Sequence, residues 1–350
     1  MSRVDDAFRE LKGRGMKALI PYVTAGDPDL DYTERLVRTL AEAGADLIEL
    51  GIPFSDPLAD GPVIQRASAR ALANGVRVAD ILGAARRITE RVSVPLLLMT
   101  YYNPVYHLGL GTFCGAAAHA GVAGLLVPDL PLEECEPLRI QCERHGLDLI
   151  QFLAPTSTPE RIRRILAVSR GFAYCVSVTG VTGAQVCLAD QAAALLRKIP
   201  PENPVPLALG FGIATAEQAR EAARLADAVV VGSALVRRVE EAGAGREGLA
   251  PAAGLVRELA TAVHASRAAF RRSSPWRTSP WSWGADRCWR RSACGFAAVS
   301  NGRFSEPTAR GRPPFCGCSP ATCGPRAAGC ACWGRPSAWW TSGRCAGGWA

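Results

Sequence analysis

The stretch Asp46-Leu47-Ile48-Glu49-Leu50-Gly51-Ile52-Pro53-Phe54-Ser55-Asp56-Pro57-Leu58-Ala59-Asp60-Gly61-Pro62 begins as a short apolar run and then breaks into a turn-rich loop. Leu47, Ile48, Leu50 and Ile52 have the composition of a buried strand, and the prolines and Gly61 that follow cannot continue it. One carboxylate, Glu49, sits inside the run. An ionised side chain on a buried strand is costly unless it is paired or can take up a proton. Glu49 is therefore either a member of a structural ion pair or a tuned acid–base group. Asp56 and Asp60 on the adjoining loop weigh toward the second.

Outward from this stretch the same unit recurs. Strand-like runs cover 18–23, 46–52, 96–99, 124–127, 149–153, 172–178, 205–209 and 228–231. An amphipathic opening helix is expected over 2–13, stopped by Gly13 and Gly15. After the first run, Asp31 and Glu34 have capping-box spacing, and Leu36, Val37 and Leu40 form a buried face closed by Gly44. Ile52 then leads into one long loop. Further helices are expected over 78–91, 113–120, 132–145, 159–169, 187–199, 216–225 and 253–264, with Thr158 and Thr215 as caps. The strands are continuous apolar runs rather than alternating ones, as in parallel strands covered on both faces. Eight strands, each followed by a helix, predict an α/β fold of the (β/α)8 TIM-barrel type with an extra N-terminal helix. A doubly wound open sheet is second choice, because it calls for fewer strands and a Gly-rich fingerprint after the first, which is missing.

The composition has a seam. All eight Trp lie at or beyond Trp276, and all four His at or before His264. From Arg271 onward there are 12 Arg, no Lys and two acids, Asp286 and Glu306, a balance of +10. With the whole chain at +8, residues 1–270 carry −2, so the basicity belongs to the tail. It does not argue for nucleic acid on the main domain. No apolar run is long enough for a membrane span, and the N-terminus lacks a signal-peptide layout, so a cytoplasmic location is expected. Cys114, Cys135, Cys142, Cys175 and Cys187 show no paired spacing and read as free thiols.

In such a barrel the chemistry gathers where strands end. The second strand supplies Glu49 and, through its loop, Asp60; the fourth ends at Asp129. The sixth passes Tyr174 into the small-residue stretch 177–183, long enough to act as a lid. The seventh ends in Gly210-Phe211-Gly212-Ile213 and the eighth in Gly232-Ser233-Ala234. Glycine lets backbone N–H groups approach an anion, and a helix starting at Ser233 points its positive end inward. Each glycine alone is adequately explained as a tight turn. Together, at the ends of strands six to eight, they favour a phosphate site without Lys or Arg. His107, His119, His145 and His264 have no ligand spacing and read as surface residues, so no metal site is expected.

These residues carry a resemblance. The segments 21–28 (Pro-Tyr-Val-Thr-Ala-Gly-Asp-Pro), 47–62, 102–104 (Tyr-Asn-Pro), 128–131 (Pro-Asp-Leu-Pro), 179–183 (Thr-Gly-Val-Thr-Gly) and 210–213 make residues 1–266 similar to the tryptophan synthase alpha chain family. The resemblance implies a lyase that cleaves indole-3-glycerol phosphate to indole and glyceraldehyde 3-phosphate. It implies Glu49 as the acid and base and Asp60 as the acceptor of the indole N–H. It implies a phosphate cradle of Gly183, Gly212, Gly232 and Ser233, a pocket of Tyr22, Tyr174 and Phe211, and a lid contact from Thr182. It also implies a tryptophan synthase beta chain as partner in an alpha2-beta2 tetramer, touched through Asp56 and Pro57. Indole passes to a pyridoxal phosphate site in that partner, so no cofactor is expected in this chain.

The chain departs from the family after Ser266. From residue 267 it turns to Arg, Ser, Pro, Gly, Trp and Cys without periodicity. Cys316, Cys318, Cys323, Cys330 and Cys332 have no His beside them and lack the usual zinc spacing. The expectation is two parts: a catalytic barrel over 1–266, and a disordered 267–350 tail of non-native sequence, such as a reading-frame slip produces. Other readings are a different phosphate-binding barrel, an isomerase or synthase, and a non-catalytic barrel that only activates the beta chain. The first calls for a Lys, Cys or metal-binding His at strand ends. Lys12, Lys17 and Lys198 lie elsewhere.

Overall fold

The computed structural model describes residues 2–176, 188–210, 212–243 and 249–266. Eight parallel strands close into a barrel in chain order: β1 (Ala18–Thr24), β2 (Ile48–Gly51), β3 (Leu96–Met99), β4 (Gly124–Leu126), β5 (Asp148–Leu153), β6 (Ala173–Val176), β7 (Leu207–Gly210) and β8 (Ala228–Val231), with β8 pairing back to β1. The (β/α)8 expectation is met.

The strand alternation divides the apolar residues into two cores. Leu19, Ile48, Leu50, Leu98, Leu125, Leu149, Leu209 and Val229 point outward and meet the helices. Ala18, Ile20, Leu47, Leu97, Leu126, Ile150, Ala208, Ala228 and Val230 point inward and fill the barrel. Both sets are dry, which is why the strands read as unbroken apolar runs. The opening helix α1 (Arg3–Gly13) closes the lower end: Val4, Phe8 and Leu11 join the inner core, and Phe8 lies 5.9 Å from Phe172 between ring centroids.

Carboxylates at the lower rim tie neighbouring strands together. Asp46, just before β2, accepts from Leu19 N at 2.7 Å and pairs with His264 Nε2 at 2.9 Å. Asp227, just before β8, accepts from Leu207 N and pairs with Lys17, each at 3.1 Å. His264 is thus half-buried and pins α12 (Leu249–His264) to the barrel, rather than lying free on the surface as expected.

The outer helices follow the expected order with four corrections. Helix α2 (Leu30–Glu42) is capped by Asp29, whose side chain accepts from Tyr32 N at 2.6 Å, not by Asp31; Glu34 instead pairs with Arg87 at 2.6 Å. The long loop after Ile52 contains α3 (Pro62–Ala73), started by proline in its first turn and burying Val63, Ala67 and Ala71 at four-residue spacing. It leads into α4 (Val78–Thr89). A second unexpected helix, α5 (Tyr102–Leu108), precedes α6 (Leu110–His119). The single helix expected over 132–145 is a short 3-10 turn, Leu132–Glu134, followed by α7 (Glu136–His145). Pro137 explains the break, since it has no N–H to give and crowds the carbonyl four residues back.

The remaining helices are α8 (Pro159–Val168), α9 (Leu188–Lys198), α10 (Ala216–Leu225) and α11 (Ser233–Ala242). Thr158 and Thr215 cap α8 and α10 as read. Cys114, Cys135, Cys142 and Cys175 are free and buried.

Candidate active site

Glu49 lies on β2 opposite Tyr22 of β1 and Leu97 of β3, with no accessible surface. Among the described residues neither carboxylate oxygen has a hydrogen-bond partner and no cation meets this group, so the ion-pair reading finds no partner there. Burial pushes its pKa up to about 8, because a charge held away from solvent there is costly.

Two tyrosines wall the group. The Tyr22 ring lies so close over Gly51 that a Cβ there would collide with the ring and its hydroxyl. Tyr174 crosses Gly210 of β7 in the same way. Absence of a side chain at these two positions is what admits the rings. Tyr174 packs on Phe152 at 5.2 Å between centroids. Burial raises both phenol pKa values, and the nearby Glu49 and Asp60 raise them further, so both stay neutral hydroxyls.

Asp60 is half-buried in the loop between β2 and α3. Burial pushes its pKa up to about 6, opposed by a hydrogen bond from the Tyr101 hydroxyl. Tyr101 follows β3, is buried, accepts from Ala59 N at 2.9 Å and stacks on Phe54 at 5.2 Å. Gln65 of α3 donates to Asp60 O at 2.9 Å. The loop is thus fastened on both sides of the carboxylate. Sequence reading missed Tyr101; its place directly after a barrel strand was the available signal. Asp129 does reach the mouth, but both its oxygens cap α5 by accepting from Tyr102 N, at 2.9 and 3.1 Å.

The phosphate expectation rests here on Gly212, Gly232 and Ser233. Gly212 has φ +67°, which glycine adopts without strain, and a Cβ built there would meet nothing within 4 Å among the described residues. Gly232 adjoins Tyr22: a Cβ built there would lie 3.8 Å from the tyrosine Cβ. Leu235 N and Val236 N bond to Gly232 O at 2.9 and 3.1 Å, which begins α11 and leaves the N–H groups of its first residues without helical acceptors. Thr182, Gly183 and Phe211 lie outside the described residues, as do Cys187 and the whole 267–350 tail. Asp56 lies exposed on the loop between β2 and α3, takes a 2.5 Å hydrogen bond from Ser55 Oγ, and is followed by Pro57 and by Leu58, which is 93% exposed. Among the described residues no group of three or more His, Cys, Asp or Glu side chains is placed to hold a metal, and no helix is long and apolar enough to cross a membrane.

Comparison with known proteins places this arrangement. The family model of the tryptophan synthase alpha chain matches residues 8–264. The alpha chain of Citrifermentans bemidjiense is 53% identical over 241 residues, 69% of this chain and 90% of the relative. That of Synechocystis sp. is 49% identical over 264 residues, 75% of this chain and all of the relative. Among solved structures, the Legionella pneumophila alpha chain superposes with a TM-score of 0.69 at 37% identity, over 75% of this chain and 97% of that one. A ligand-free tryptophan synthase from M. tuberculosis gives 0.68 at 37% identity, over 75% and 99%. With nearly the full length of these relatives matched by the barrel described above, the chain belongs to the tryptophan synthase alpha chain family.

Proposed function

We propose that Glu49 and Asp60 divide the proton and charge work of this chain's reaction. The chain is the alpha-subunit lyase of tryptophan biosynthesis and cleaves indole-3-glycerol phosphate to indole and glyceraldehyde 3-phosphate. That retro-aldol step needs a proton placed on the indole ring carbon that bears the glycerol chain. It also needs a proton taken from the adjacent hydroxyl. Glu49, with a pKa pushed up to about 8, is protonated at neutral pH and can give the first proton. The carboxylate so formed takes the hydroxyl proton, the carbonyl forms, and the electrons of the breaking C–C bond return to the ring. The carboxyl group ends as it began.

Asp60, with a pKa of about 6, is mostly ionised at pH 7 and accepts the indole N–H, offsetting positive charge as the ring is protonated. Tyr22 and Tyr174, with Phe211, hold the indole; Gly212, Gly232 and Ser233, with Gly183, hold the phosphate through backbone N–H groups; Thr182 meets Asp60 from the lid. This chain then needs no cofactor of its own.

We assign Asp56 and Pro57 to the beta-chain interface of an alpha2-beta2 tetramer, whose partner would hold pyridoxal phosphate and take up the indole released here. Leu58, at 93% exposed, and Tyr106 of α5, at 68%, support an apolar contact there. Residues 1–266 would be the catalytic domain, the 267–350 tail would be dispensable, and the setting cytoplasmic.

The observation that carries this reading is the fully buried, unpartnered carboxyl of Glu49. The test is indole release from indole-3-glycerol phosphate by the wild-type chain and by Glu49→Gln, with and without a beta chain. We expect Glu49→Gln to lose about 10²–10⁴-fold in kcat while remaining folded. A variant that kept wild-type kcat would sink the assignment.

A further inference from the structure

Helices α3 and α11 stand outside the one-helix-per-strand plan. Each is inserted between a strand and that strand's outer helix: α3 between β2 and α4, α11 between β8 and α12. Val63 and Ala67 of α3 and Val236 of α11 close together over Tyr22. Small apolar contacts of this kind give cohesion but little control over how the two helices are set.

That control lies in four side chains beside them. Arg66 donates through Nε and one Nη to the two oxygens of Glu240 on α11, at 3.0 and 2.8 Å. Arg70 donates to the same carboxylate at 2.8 Å. With its other edge Arg70 grips both oxygens of Asp27, at 2.9 and 2.7 Å. Asp27 is 5% exposed and belongs to the turn after β1, the strand that carries Tyr22. Asn74, just past α3, donates to Pro28 O of the same turn at 2.5 Å. A guanidinium that meets two carboxylates through separate edges fixes both distance and orientation.

We infer that Arg70 is a positioning residue for the lyase reaction. Through Asp27 it sets α3, and with it the preceding loop that carries Asp60. Through Glu240 it sets α11, and with it the Gly232–Ser233 end that receives the phosphate. This rests on the functional reading above. Arg66 and Arg70 hold the Glu240 carboxyl down to about 2, so Glu240 stays ionised throughout the working pH range.

The two arms predict a split in kinetics that loss of stability alone does not produce. With the full chain, Glu240→Gln should raise KM and weaken competitive inhibition by inorganic phosphate about tenfold, with kcat changed less than about twofold. Asp27→Asn should instead lower kcat about tenfold with KM little changed. Arg70→Met should show both losses, and Arg70→Lys, which keeps the charge but not the fork, should recover only part of each. If Glu240→Gln and Asp27→Asn keep wild-type kcat and KM and differ only in thermal midpoint, the inference is overturned and the unit is structural. If the wild type releases no indole, the lyase reading fails instead. Calorimetric titration of wild type and Glu240→Gln with inorganic phosphate then decides the α11 arm: equal affinities overturn it, and weaker binding by the variant upholds it.

Discussion

Glu49 and Asp60 are both carboxyl groups displaced upward by burial, but by different amounts, and the difference supports the separate roles proposed for them. Glu49 has no donor to accept from among the described residues and is pushed up to about 8; Asp60 has the Tyr101 hydroxyl and is pushed up to about 6. On the roles proposed above the reaction needs Asp60 ionised and Glu49 protonated, so kcat/KM should rise through pH 6 and fall above pH 8. Tyr101→Phe removes the hydrogen bond that lowers the Asp60 pKa. Its rising limb should therefore move to higher pH, with activity at pH 6.5 reduced a few-fold and the falling limb unchanged. A pH–rate profile of the two proteins checks both statements; a rising limb that stays put would show that Asp60 does not set it. Glu49 was readable in the sequence because a carboxylate inside Leu47-Ile48-Glu49-Leu50 contradicts its surroundings. Tyr101 was not, since an aromatic residue after an apolar strand is also what an ordinary core contains.

At the scale of elements, local chemistry predicted well where one side chain decides a boundary. Thr215 and Gln218 form a reciprocal cap, with Thr215 Oγ1 accepting from Gln218 N and Gln218 Oε1 from Thr215 N, each at 3.3 Å. Thr215→Ala should lower stability by about 1 kcal/mol, measured by denaturant unfolding. A change below a few tenths would mean that the helix end is held by packing instead. Local chemistry predicted poorly for α3 and α5. Val63 and Ala67 of α3 join Tyr22 and Val236 rather than the outer core, and the short α5 buries only Val105, so neither shows the broad stripe of α2 or α8. Pro62 and Asn103-Pro104 also look like loop punctuation until seen in a first helical turn. Those two helices bound the candidate site.

For the whole molecule, stability and the tail are the open tests. Asp148, at the start of β5, is 7% exposed, with its Oδ2 unpartnered; burial pushes its pKa up to about 6, against a hydrogen bond with Ser2. The folded chain thus binds this proton more tightly than the unfolded one, and its contribution to stability is lost as pH rises from about 4 to 6. Asp148→Asn should raise the thermal midpoint at pH 7.5, by the equivalent of up to about 3 kcal/mol, and should give little gain near pH 4. A gain independent of pH would refute the assignment. Truncation after Ser266 keeps α12 and the His264–Asp46 pin, and should leave indole release within about twofold of the full chain. Loss of activity would give the tail a role.

What the sequence determined by itself was the barrel, the caps at Thr158 and Thr215 and the acid in its second strand. Apolar runs, turn residues and a misplaced carboxylate are local signals that act over a few residues. What only the tertiary structure decided was how distant segments meet. Glu49 meets no cation among the described residues, Tyr101 reaches Asp60 from beyond the next strand, and Asp27, Arg70 and Glu240 join the turn after β1 to helices α3 and α11. Those relations depend on closure of the barrel, which brings β8 beside β1 and has no counterpart in sequence distance.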